Sequence, residues 1–97
     1  MKIDTDRHED LLIFLEENMS QLVKLKVASR AHYKNYDECY VNYLTAESCD
    51  DDERMLLYGE MVEDCHAAIQ RKLETALNAQ PELLTHQVVK EFVKLMN

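Results

Sequence analysis

Glu63 and His66 have the spacing of a metal-binding motif. Residues three apart on a helix point to the same side, and di-iron helical bundles use a Glu-x-x-His pair from each of two helices as ligands. The sequence contains one such pair, so a symmetric dimer would have to supply the second, and Asp37 or Glu38 would have to join it. A solvated pair on a helix flank is the interpretation adopted here, with no bound cofactor, and a dimeric metal-binding bundle is the alternative.

A run of four acids, Asp50 to Glu53, invites comparison with a calcium loop. Such loops need oxygen ligands at spaced positions and a glycine for the sharp turn, and the run has neither. Acids just before a helix cap its free N–H groups and favour its positive end. The run therefore predicts a helix start, with Ser48 or Asp50 as the cap.

The three cysteines give no sign of catalysis. No two of them have zinc-ligand spacing, and Cys65 and His66 are adjacent, so they point in different directions on a helix and make a poor dyad. An odd number of cysteines without a disulfide framework is typical of a reducing compartment. We expect a non-enzymatic, cytoplasmic protein, and no apolar run approaches the ~20 residues that a membrane span needs.

Charge is segregated along this acidic chain. Residues 47–64 contain eight acids against Arg54, a net charge of −7, out of −8 for the whole chain. Residues 18–36 contain four cations and no acid. The overall charge makes nucleic acid an unlikely ligand and is compatible with a protein partner of mixed charge. An acidic inhibitor that imitates nucleic acid is a further alternative, although the window has less than half the charge density of a DNA duplex, which is about one charge per ~1.7 Å.

The composition predicts a few long helices. One glycine and one proline among 97 residues are too few for the many turns of a β-rich domain. Pro81 is suited to end one helix and to begin the next. We therefore predict an all-α fold in a single domain, residues 1–97, with helices at about 6–46, 52–79 and 82–96.

Four of the five tyrosines, Tyr33, Tyr36, Tyr40 and Tyr43, recur at spacings of three, four and three. This is the heptad step of a helix packed against another helix, and it continues backwards to Leu12. The predicted first helix is therefore long, with a break near residues 29–32 as the alternative. Buried hydroxyl groups need partners, so some of them must reach water, flanking charges or another protein.

The stripe of the first helix matches the stripe of the second. With a turn centred on Cys49, Tyr36 would lie opposite Val62 and Tyr33 opposite Cys65. This match predicts a long antiparallel, coiled-coil-like hairpin, followed by a short C-terminal helix in a helical bundle. Two helices alone bury too little surface, so the last helix or a second subunit must complete the core, and we expect a homodimer.

These features favour a protein-protein interaction module, such as a small acidic adaptor, chaperone or inhibitor that acts through its helical surfaces. Tyrosine is enriched at protein interfaces, and a cluster of acids suits a basic partner. The predicted partner-binding residues lie on the tyrosine stripe and at the acidic end of the hairpin, and they are Tyr33, Tyr36, Tyr40, Glu47, Asp50, Asp51, Asp52 and Glu53.

Overall fold

A computed structural model describes residues 2–97, and all regular structure in this range is helical. The all-α prediction is confirmed, and the helices pack as a bundle built on a hairpin. The elements are α1 (Thr5–Lys24), α2 (Arg30–Ser48), α3 (Asp52–Ala79), a 3₁₀ helix (Pro81–Thr85) and α4 (Gln87–Met96).

The predicted helix over 6–46 is wrong, because the chain turns sharply between α1 and α2. At the end of α1 the N–H of Val27 donates to the carbonyl of Leu22 at 3.1 Å, and that of Lys26 donates to Val23 at 3.0 Å. Lys26 adopts a left-handed backbone conformation with φ of 63°. These bonds form a Schellman motif, which ends a helix by satisfying its last carbonyl groups. Leu22 and Val27 are fully buried, and an apolar contact between these two positions usually accompanies the motif.

Ser29 then begins a new helix. Its side chain accepts a hydrogen bond from the N–H of His32 at 3.1 Å, as an N-cap does. The alternative break predicted near residues 29–32 is therefore close to the observed one. Because of the turn, α1 folds back against α2 and covers the tyrosine stripe.

The antiparallel hairpin of α2 and α3 is the most extensive packing in the molecule. Its register differs from the predicted one, because Tyr36 faces His66, with ring centroids 6.3 Å apart, instead of Val62. Likewise, the Sγ atoms of Cys39 and Cys65 are 4.0 Å apart. The connection lies beyond Cys49, so each residue of α2 meets a residue further along α3 than predicted.

The C-terminal helix predicted at 82–96 is divided in two. Pro81 begins the 3₁₀ helix, and His86, with an extended backbone at ψ of 129°, separates it from α4. Phe92 of α4 packs against Phe14 of α1 with ring centroids 5.8 Å apart. This segment therefore covers α1 and completes the core.

One end of the hairpin consists of two helices only. α1 begins beside Tyr40, whose hydroxyl contacts Thr5, and the chain before α1 reaches as far as Tyr43. Beyond these tyrosines α2 and α3 continue, and no third helix of residues 2–97 accompanies them. We call residues 41–61, which form this end of the 45 Å long molecule, the arm.

Candidate functional site

The structure buries most of the tyrosine stripe. Tyr36 and Tyr43 are 0% exposed and Tyr40 is 4% exposed, whereas Tyr33 is half-buried. The expectation that Tyr36 and Tyr40 present an outer edge to a partner is therefore wrong, because α1 folds back over them. The backbone N–H of Ile3 donates to the Tyr43 hydroxyl at 3.3 Å, so residues before α1 also help to cover the stripe.

The buried hydroxyl groups find partners within the chain. The Tyr36 hydroxyl is hydrogen-bonded to Nδ1 of His8, and the Tyr40 hydroxyl donates to the carbonyl of Thr5 at 3.4 Å. Burial raises the pKa of Tyr36, and it raises the pKa of Tyr40 to about 12. Both hydroxyls therefore keep their protons at neutral pH.

His8 is fully buried and links α1 to both helices of the hairpin. Its Nδ1 meets the Tyr36 hydroxyl and its Nε2 lies 2.9 Å from Oε1 of Glu63, whose side chain is 43% exposed. In the neutral ring with the proton on Nε2, Tyr36 donates to Nδ1 and Nε2–H donates to the Glu63 carboxylate. Sequence reasoning missed His8, although it lies four residues before Leu12 and so extends the same apolar stripe.

His66 joins the same cluster through Arg7. Nη2 of Arg7 lies 3.0 Å from Nε2 of His66. Because a guanidinium group only donates, Nε2 is the acceptor and the ring proton is on Nδ1. Burial lowers the pKa of His66, and the charge of Arg7 and the neighbouring His8 lower it further. His66 is therefore neutral at pH 7.

This arrangement argues against the metal-binding alternative for Glu63 and His66. Metal coordination uses the lone pair of an imidazole nitrogen, and Arg7 occupies the one on Nε2, while Glu63 is engaged by His8. Within residues 2–97 no three His, Cys, Asp or Glu side chains are arranged so that they could hold a metal ion. His8 and Tyr36 are fully buried, so these two side chains are closed to a substrate. The cluster is a polar network that joins three helices.

The acidic end of the hairpin is exposed and built around a helix cap. Asp51, rather than Ser48 or Asp50, caps α3 by accepting from the N–H of Arg54 at 3.1 Å, and its carboxylate also pairs with that side chain at 3.4 Å. Asp50 occupies a left-handed position with φ of 53°. The remaining acids are free to meet a partner, with Glu47 half-buried and Asp50, Asp52 and Glu53 exposed.

Exposed apolar side chains concentrate on the arm. Of the seven large hydrophobic side chains that are exposed within residues 2–97, five belong to the arm. Apolar side chains concentrated in this way mark interaction sites more often than scattered ones do. The heptad pattern could not reveal them, because they lie outside its stripe. They are Val41, Leu44, Leu56, Leu57 and Met61.

Three of these residues lie on the side of the hairpin on which α1 packs. Tyr40 and Glu63 both contact α1. Leu44 lies one helical turn beyond Tyr40, and Leu56 lies two turns before Glu63, so both leucines are on the same side. Val41 shares a helix face with Leu44, three residues away. We call Val41, Leu44 and Leu56 the front flank of the arm.

No helix within residues 2–97 is both long and apolar enough to cross a bilayer. Comparison of the chain with protein-family models, with curated proteins and with solved structures finds no match.

Proposed function

We propose that this protein is a non-enzymatic interaction module, a small acidic adaptor, chaperone or inhibitor, that binds a basic partner protein through its arm. One observation carries the proposal: exposed apolar side chains and most of the net negative charge coincide on the part of the hairpin that no other helix of the described residues covers. The three cysteines are free thiols, which supports a reducing, cytoplasmic location.

The two components of the surface have different roles. Burial of the front flank would supply affinity, at about 25 cal/mol per Å² of apolar surface removed from water. The acids at the end of the hairpin would attract and orient a basic partner, which mainly affects the association rate and the choice of partner. Tyr33 is the member of the tyrosine stripe that can still contribute to a contact, because it is half-buried.

A charge-reversal variant of the arm tests this function. We would replace Asp50, Asp52 and Glu53 by Lys and keep Asp51, because it caps α3. The three replaced side chains are exposed, so the fold should be kept, although lysines in the first turn of α3 should lower the free energy of unfolding by about 1–2 kcal/mol. Capture of the partner from extracts of the source cells should fall by tenfold or more, about 1.4 kcal/mol or above.

A matched control carries the same change of net charge away from the arm, with Asp10, Glu17 and Glu91, all exposed, replaced by Lys. If both variants retain the partner equally well, the arm is not the binding surface. Addition of duplex DNA distinguishes the proposed function from the alternative, a nucleic-acid-mimicking inhibitor. If DNA releases the partner, the partner binds this protein through its own nucleic-acid-binding site, as the alternative expects.

A further inference from the structure

An open groove of about 610 Å³ lies along α3. Small side chains of α3 line it, among them Ala68, Thr75 and Ala79, and Lys26 and Lys72 stand beside them. Neither lysine forms an ion pair with another residue of the range 2–97. The small side chains leave the groove unfilled. The positive charge of the two lysines is also not neutralised, although the protein is acidic.

The face of α3 that lines the groove extends beyond it into the arm. Met61 lies seven residues before Ala68 and Leu57 eleven, so each lies within about 20° of Ala68 around the helix axis and all three share one face. Leu57 is 53% exposed and Met61 39% exposed. This face of α3, which we call the back face, therefore has large apolar side chains in its first half and small ones in its second.

The charge along the back face also changes from the first half of α3 to the second, from negative to positive. Asp64, four residues before Ala68, lies in the acidic half, and Lys72, four residues after Ala68, lies in the basic half. Two identical helices that run antiparallel would therefore bring unlike halves together. The back face is complementary to itself in both size and charge.

We propose that the back face of α3 binds the back face of a second copy of this chain, antiparallel, with the two-fold axis at Ala68. A residue before Ala68 then meets the residue equally far after it on the other copy. Leu57 enters the space beside Ala79, and Met61 enters the space beside Thr75. Two-fold symmetry makes each contact occur twice, along about 33 Å of helix.

Charge complementarity selects a second copy among possible occupants of the groove. Asp64 of each copy meets Lys72 of the other, again twice. Glu60 arrives opposite Ala76, and this stretch of the groove is also lined by Lys26. The pairing fills the groove and brings acids to two of the cations that line it, Lys26 and Lys72. It leaves the front flank and the acidic end free, so it goes beyond the proposed function.

A charge exchange within one chain tests the pairing. Asp64 and Lys72 are eight residues, about 12 Å, apart on the same helix, so they meet only between copies. Asp64→Lys alone and Lys72→Glu alone should each weaken dimerisation by about tenfold or more, because two attractive contacts become repulsive. The double variant should restore it. Sedimentation equilibrium measures the dissociation constants.

Two further variants test the position of the axis and the size of the groove. Ala68→Cys, in a Cys49→Ser background, should form a disulfide between copies on mild oxidation, whereas Ala67→Cys, on another side of α3, should not. Thr75→Arg should give a monomer with unchanged circular dichroism, because Thr75 is exposed and the larger side chain fills the space meant for Met61.

Two results would overturn the proposal. One is a protein that stays monomeric at millimolar concentration. This result would overturn the proposal also if the groove of the monomer bound phosphate or an acidic peptide. The other is a dimer that survives both Asp64→Lys and Thr75→Arg.

Discussion

At the scale of single residues, the cluster around His8 shows how polar groups are accommodated in the core. Tyr36 places its hydroxyl against Nδ1 of His8, and Glu63 accepts at the other ring nitrogen. A buried polar atom that loses its partner costs free energy, since water cannot replace the bond. Each of these side chains therefore supports the position of the other two.

Tyr36→Phe isolates this effect, because it removes one oxygen atom and leaves Nδ1 of His8 without a partner. We expect the free energy of unfolding in urea to fall by about 1–3 kcal/mol. Tyr33→Phe makes the same chemical change on the same helix at a half-buried position, and it should fall within about 0.5 kcal/mol of the wild type. Equal losses in the two variants would contradict the role given to the His8 contact.

His66 predicts a dependence of stability on pH. Burial, Arg7 and His8 lower its folded-state pKa below the unfolded value of about 6.5, so the unfolded chain binds a proton first as pH falls. The contribution of His66 is complete above pH 6.5. It is lost, at up to about 1.4 kcal/mol per pH unit, as pH falls towards the folded pKa.

Urea unfolding at pH values from 7.5 to 5 measures this loss. His66→Gln should flatten the curve between pH 6.5 and the folded pKa, because it removes the titrating ring. His86→Gln, at an exposed position, should leave the curve unchanged. A curve that keeps its slope without His66 would assign the pH dependence to other groups.

Part of the site could be predicted at this scale. The acidic end was recognisable from its charge, and Glu63 and His66 from their spacing, but their partners were not, because Arg7 and His8 lie more than fifty positions away in the sequence. The tyrosines were correctly placed on one face. Their packing against another helix was predicted as well, but the full burial of Tyr36 and Tyr40 was not, because it depends on α1 folding back.

At the scale of the elements, helix ends decide the fold. Both α1 and α2 end in Schellman motifs, with Lys26 and Asp50 in the left-handed position that glycine usually occupies. Without a glycine the stop at Lys26 is invisible to a reading of turn residues, whereas the acidic run after α2 marked the turn near Asp50. α3, by contrast, lies between an acidic start and Pro81, and its observed bounds, Asp52–Ala79, coincide with the predicted ones.

The cap at Ser29 gives a test of the turn between α1 and α2. Ser29→Ala removes the acceptor for the N–H of His32, and the free energy of unfolding should fall by about 1 kcal/mol. Ser48→Ala, at an exposed position at the end of α2, should cost less than half of that. Chemical denaturation of the two variants side by side measures the difference, and a loss no larger at Ser29 than at Ser48 would contradict the cap assignment.

At the scale of the whole molecule, charge is divided between the two ends of a 45 Å body. The arm carries most of the excess acid, and the groove beside α3 carries lysines that form no ion pair within residues 2–97. If two copies pair through α3, their arms point in opposite directions and each dimer presents two binding surfaces. A partner array would then be bound with a gain from avidity.

Salt separates the arm's two contributions. Screening shortens the range of charge interactions from about 10 Å at 0.1 M salt to about 3 Å at 1 M, so the association rate with a basic partner should fall steeply as salt rises. The dissociation rate should change little if the front flank supplies the affinity. Surface plasmon resonance over this range measures both rates, and an association rate that does not depend on salt would contradict steering by the acids.

The most direct test is photo-crosslinking from the front flank in the source cells. A photoreactive amino acid replaces Leu56 in one variant and Glu91, exposed on α4, in another. An interaction through the arm predicts a discrete adduct with one basic protein from position 56, absent at position 91 and lost when Asp50, Asp52 and Glu53 are replaced by Lys. No adduct from position 56, or the same adduct from both positions, would contradict the proposed function.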